Sequence, residues 1–318
     1  ITDKFETLLS FYEDVFAEGE NIPAIGKITV KPEAIAKTYK PSDLCRNCPI
    51  IGSEDLNEIY IKVNKKSVLK TIELVKNPPS KKFMANMTAI TDIQPIKPEE
   101  KISPILQSVA QENFNSIKKE IKIKIFDFDN EFDNTQIWDY VKRKLHQLQF
   151  GDNYKVISYG ENIKFIKIEI KSYNDIINLA SINGVKSVSF FQEYSLPRND
   201  FSAIELQTLL DFEYRDSDIT IGIIDGGISD DNDFLKPFIV AREEYVNKAY
   251  QNPKHATFIA STIQYGNVLN NITDATSYRF KFVDIVAIPN SDKDFGLTES
   301  ISEDALMEII EEVMEKYS

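Results

Sequence analysis

Two histidines and two cysteines in 318 residues leave little room for metal or thiol chemistry. A structural zinc site takes four Cys or His ligands at set spacings, and Cys45, Cys48, His146 and His255 are the whole supply. Cys45-Arg-Asn-Cys48 reads first as two loop thiols in a reducing compartment; half of a zinc site and a redox pair are the lesser alternatives. No run approaches 18 uninterrupted apolar residues, which excludes a simple membrane-spanning helix. Basic residues are in deficit: 37 Lys and Arg against 50 Asp and Glu give a net charge of −13. An acidic surface repels phosphate backbones and anionic headgroups, so neither nucleic acid nor a membrane is the expected main partner. Ile1 to Phe16 is amphipathic and acidic, without the basic end, apolar centre and small-residue cleavage site of a secretory signal. The chain does not open on Met, which leaves room for a preceding segment, and the expected compartment is the cytoplasm.

What is present is ordinary for a globular protein: 42% hydrophobic and 27% charged residues, with length enough for two or three domains. Residues 1–24 read as an N-terminal helix and turn. Residues 25–96 read as an α+β domain. Its strands are expected at Lys27–Val30, Leu56–Val63 and Met84–Ile93, and its helices at Pro32–Tyr39 and Lys65–Lys76. Pro95, Pro98 and Pro104 mark 97–117 as a linker. Residues 118–197 carry the clearest pattern. Ile121, Ile123 and Ile125 alternate with lysines as a half-buried strand, and Asn134 or Thr135 can cap a helix bearing Ile137, Trp138, Val141 and Leu145. Two strands follow at Tyr154–Tyr159 and Ile163–Ile170, then a helix capped by Ser172 and a last strand from Val185. That β-α-β-β-α-β order is ferredoxin-like, and 25–96 is a candidate partial repeat of it.

Residues 198–318 read as part of an α/β domain: a helix near Ile204–Phe212, an apolar strand Asp218–Asp225, a helix from Lys254, a strand Arg279–Ile288 and a last helix. Ser300-Ile-Ser-Glu303 has capping-box spacing for that helix, and Leu306, Ile309, Ile310, Val313 and Tyr317 form its apolar stripe. Open α/β sheets place chemistry beyond the carboxyl ends of their strands, which is where Asp225 falls. His255 opens the helix 30 residues later (255 − 225). Asp and His are two of the three groups that turn a serine hydroxyl into a nucleophile. The plainer readings are a turn residue for Asp225, since Asp-Gly-Gly is good turn chemistry, and a core or capping histidine for His255.

Asp225-Gly-Gly-Ile228 is similar to the Asp-(Ser/Thr)-Gly-Ile segment of subtilases, the subtilisin-like serine peptidases. His255-Ala-Thr-Phe-Ile-Ala-Ser261 resembles their His-Gly-Thr-His-Val-Ala-Gly. Ala256 and Ser261 replace glycines, which adds crowding where helix and neighbour approach, and Phe258 replaces the second histidine. The resemblance implies one or more ferredoxin-like α+β domains followed by the first half of a subtilisin-like doubly wound parallel sheet. His255 would be the general base and acid, and Asp225 would orient its ring. No Gly-Thr-Ser segment supplies the nucleophile, and Ser229, Ser261 and Ser277 lie in the wrong contexts. Domain 118–197 would act as a propeptide, its tail near Glu193–Pro197 entering the active site.

Phe295, Gly296 and Leu297 would form one edge of the substrate groove, a simple loop being the equal alternative. Asp230, Asp231 and Asp233 lie near an aspartate used by a subtilase calcium site; otherwise no cofactor is expected. The partners implied are a polypeptide substrate, a C-terminal catalytic half or second chain completing the sheet, and an AAA+ ATPase. The rival readings are a degenerate, inactive subtilase that binds or inhibits, and a ferredoxin-like regulatory protein with no contact between Asp225 and His255.

Overall fold

The computed structural model describes residues 1–34, 40–151, 153–160, 163–196, 214–270, 272, 277–292 and 297–317. Their packing falls into two units, Ile1–Phe190 and Phe191–Ser318. The whole is mixed α/β with several sheets, and no described helix is long and apolar enough to cross a membrane.

The first unit opens on α1 (Thr2–Phe11) and α2 (Glu13–Glu18). There follow β1 (Ala24–Val30), β2 (Ile50–Ser53), β3 (Glu58–Val63), α3 (Lys65–Lys76), α4 (Lys81–Ala89) and β4 (Ile90–Pro95). The strands lie in the order β2-β3-β1-β4, antiparallel throughout. After α5 (Pro98–Lys101) and α6 (Pro104–Asn113) come β5 (Glu120–Ile125), α7 (Glu131–Gln147), β6 (Tyr154–Tyr159), β7 (Ile163–Glu169), α8 (Tyr173–Ser181) and β8 (Val185–Ser189). Their order is β6-β7-β5-β8, again antiparallel. Both sheets therefore follow one plan: second strand, third, first, fourth. Each central strand also slips register just before its end, at Thr29/Val30 in β1 and Lys124/Ile125 in β5.

Four local expectations differ from the structure. Met84–Ile93 does not form one strand; α4 runs to Ala89, because the Ser80 hydroxyl caps it by accepting the Phe83 N–H at 3.1 Å. Residues 97–117 are no loose linker. Pro98 and Pro104 stand in the first turns of α5 and α6, where a missing N–H costs nothing. Ile102, Leu106 and Ala110 are buried in one apolar cluster with residues of both sheets. The Ser103 N–H donates to the Val188 carbonyl and Ile102 bridges Val188, so this stretch covers an edge of the second sheet. The cap of α7 is Asn130, which accepts from the Phe132 and Asp133 N–H groups; Asn134 instead bonds Phe128 and Asp127. Of the helix expected at Pro32–Tyr39, a single 3-10 turn spans Pro32–Ala34, and 35–39 lie outside the described residues.

Cys45 and Cys48 are both free and buried. Burial pushes the Cys45 thiol up to about 12 and raises that of Cys48, which sits against the Ser67 and Thr71 hydroxyls. Thiols so held stay protonated and unreactive at neutral pH.

Lys101, on α5, is buried and donates to the Ile182 carbonyl at 3.2 Å. Desolvation holds its amine down to about 8, against an ordinary 10.5. A lowered lysine value means the unfolded chain binds the proton more tightly. The penalty on the folded state is then fully present below pH 8 and is relieved as pH rises towards 10.5. Relative to Lys101→Met, the natural protein should gain up to about 3 kcal/mol of stability over that window. Urea unfolding of both proteins at pH 7.5 and pH 10 measures it; a constant difference between them contradicts the assignment.

The second unit contains β9 (Glu193–Tyr194), β10 (Tyr214–Asp225), β11 (Ile239–Glu244), α9 (Lys254–Leu269), β12 (Ser277–Val286), β13 (Ser291–Asp292), β14 (Leu297–Thr298), β15 (Ile301–Ser302) and α10 (Glu303–Tyr317). The main sheet is parallel, in the order β10-β12-β11. Alternation along β10 and β12 divides its faces. Ile223 and Phe282 pack with Ala256 and Ala260 of α9, whereas Val283 and Ile285 pack with Val313 of α10. Ser300 does not cap α10; its hydroxyl donates to Glu193 Oε2 at 2.6 Å, and Ile301–Ser302 is strand. Tyr317 is not part of the buried stripe, being exposed with its hydroxyl on Glu243. The helix expected near Ile204–Phe212 lies outside the described residues.

Candidate active site

Asp225 is the last residue of β10. Its main-chain carbonyl accepts the N–H groups of Ala287 (2.9 Å) and Ile288 (3.1 Å), which ties the chain leaving β12 to the same rim. Its carboxylate Oδ1 accepts the Gly226 N–H at 2.6 Å. The other oxygen, Oδ2, faces His255 Nδ1 at 2.5 Å. The Asp225 side chain is 6% exposed and that of His255 38%, so the carboxylate is enclosed while the ring reaches solvent. A carboxylate can only accept, so Nδ1 carries the hydrogen and Nε2 is the nitrogen able to take up a proton.

Local sequence explains this placement. α9 starts just after Pro253, and His255 lies in its first turn. Ala256 and Ala260 are fully buried against the sheet, so small side chains let the helix lie close to β10 and β12. Phe258 stands half exposed. Thr257 fastens the helix to the turn after Asp225 by accepting the Ser229 N–H at 2.9 Å.

A second feature is an extended segment laid across this rim. Glu193 and Tyr194 pair antiparallel with Ser302 and Ile301. Leu196 donates to the Pro289 carbonyl at 2.9 Å and accepts the Ser291 N–H at 3.0 Å. Its side chain lies over Gly226: a Cβ there would stand 2.6 Å from Leu196 Cδ1 and 2.5 Å from the Asn252 carbonyl oxygen. Residue 226 must be glycine on grounds of space.

Of the other expected site residues, Phe295 and Gly296 lie outside the described residues, and Leu297 pairs with Asp292 across β13 and β14. Ile301–Ser302, inside the expected capping box of the last helix, is strand and pairs with Glu193–Tyr194. Asp230 meets Arg242 at 3.0 Å, and among the described residues no three His, Cys, Asp or Glu side chains gather as a metal site. His146 is exposed on α7, in the other unit. β11 and its Arg242 went unread in the sequence. No family model and no curated protein matches the chain.

Proposed function

We propose that this chain is the N-terminal part of a subtilisin-like serine endopeptidase that acts on polypeptides in the cytoplasm. The observation that carries the reading is the 2.5 Å contact between a buried carboxylate at a strand end and the Nδ1 of a partly exposed imidazole. In peptide hydrolysis Nε2 of His255 would take the proton of a serine hydroxyl as it attacks the scissile carbonyl, then return it to the departing amine. Asp225 would hold the ring in the required tautomer and stabilise the imidazolium. The serine would come from a continuation past Ser318 or from a second chain, completing the doubly wound sheet.

The strand plan β6-β7-β5-β8, with two helices in β-α-β-β-α-β order, supports a ferredoxin-like propeptide role for 118–197. Glu193–Tyr194 on Ile301–Ser302, with Leu196 bonded to Pro289 and Ser291, supports a tail that lies as a substrate would, by strand addition. An AAA+ ATPase as unfolding partner rests on the resemblance alone.

A second reading is an inactive, subtilase-derived module that masks a protease. It is favoured by Ala256, Phe258 and Ser261, which stand where the resembled segment has glycine, its second histidine and glycine. A fluorophosphonate probe separates the two. The protein carried on past Ser318 should be labelled at a serine in such a segment. A natural stop codon at that point, or no labelling of the extended protein, favours the module.

A further inference from the structure

β12 carries a carboxylate that the proposed chemistry does not use. Asp284 is fully buried, and the register sets it between Ile223 of β10 and Arg242 of β11. Residues two apart share a face, so this row lies directly before Asp225 on the side covered by α9. Asp284 Oδ2 accepts the Ile228 N–H at 3.0 Å and meets Arg242 Nη1 at 3.0 Å. The same Nη1 donates to the Ile228 carbonyl at 2.8 Å and to Asp230 Oδ1 at 3.0 Å. Nε donates to Glu244 at 3.0 Å and Nη2 to Gln251 at 3.4 Å. Ile228 is thus gripped at its N–H by one side chain and at its carbonyl by that side chain's partner.

We infer that Arg242, paired with Asp284, is a positioning residue that fixes the turn after Asp225 and so aligns the Asp225 carboxylate with His255. The chemical use of that alignment rests on the peptidase reading above; the positioning itself does not. Asp225 and Ile228 are separated by Gly226 and Gly227, the latter at φ +97°. Two adjacent glycines have more backbone freedom than any other pair, so the turn has little stiffness of its own. Clamping Ile228 on one side, with Thr257 holding Ser229 on the other, removes that freedom. Arg242 also offsets a second buried carboxylate beside Asp225, which would be costly to leave unpaired. A lysine would keep the charge but lose the fork that spans Ile228, Asp230, Glu244 and Gln251.

The test follows the Nδ1 proton of His255 by NMR, through its downfield resonance and its exchange with water. Arg242→Met/Asp284→Asn removes both charges of the pair, and Arg242→Lys removes only the fork. In each, that proton is expected to exchange at least about tenfold faster, because the turn opens more often. Wild-type exchange in either folded variant overturns the proposal. Failure of both to fold also overturns it, since the pair would then be a requirement of the fold rather than of the site. Asp225→Asn is the control and should abolish the slowly exchanging resonance. Survival of the resonance there would show that Asp225 does not hold the proton and would overturn the alignment as well, whereas failure of the peptidase reading alone leaves it standing.

Discussion

His255→Ala should lower kcat for peptide hydrolysis about 10⁶-fold in the protein joined to its nucleophile, with KM little altered. In the proposed peptidase the imidazole would act on charge that develops during reaction, so its loss would remove transition-state stabilisation and leave ground-state binding alone. A serine hydroxyl is a weak nucleophile without a neighbouring base. Residual turnover would come from oxyanion donors and from holding the substrate in place. Asp225→Asn should cost less, about 10⁴-fold. An asparagine amide facing Nδ1 favours the tautomer with its hydrogen on Nε2, which cannot accept the serine proton. Steady-state kinetics on a chromogenic peptide check both; hydrolysis by His255→Ala within tenfold of the parent would remove His255 from the mechanism.

Gly184→Ala should destabilise the first unit by about 2–5 kcal/mol. Two costs add. Gly184 sits at φ +88° between α8 and β8, a conformation that penalises an L side chain by about 1–2 kcal/mol. A Cβ there would also stand 2.3 Å from Ile137 Cγ1 and 2.5 Å from its Cδ1. Ile137 is fully buried on α7, so its side chain has nowhere to go and the helix itself must shift, at about 1–3 kcal/mol for overpacking. Urea unfolding reads the sum. Gly184→Ala/Ile137→Ala should be less destabilised than the two single changes added together, because the clash is shared. Strict additivity would show that Ile137 is not what the methyl meets.

Much of the fold was legible where side chains alternate on a simple period. β5 could be read from Ile121, Ile123 and Ile125, all buried, and β6 follows the expected span, Tyr154–Tyr159. Ser172 caps α8 and forms a reciprocal pair with Asp175. Other elements hid for physical reasons. Proline at the start of α5 and α6 looks like a breaker, although the first turn is where a helix tolerates it. β11 ends in Arg242-Glu-Glu244, which reads as solvated surface; ion pairs to Asp284 and Lys316 consume those charges. The Asp225–His255 contact was accessible because both groups sit at element ends. The strand pairing of 193–194 with 301–302 was not, since two residues have no period and their partners are over a hundred positions away.

Apolar side chains from both sheets of the first unit, and from the stretch between them, merge into a single interior. A shortened chain starting at residue 118 would strip Ile102 and Leu106 from that interior and bare the flank of β8 that Ser103 now covers. The earlier half is therefore no detachable appendage. A change of volume on the inner face of either sheet is felt by the packing of the other.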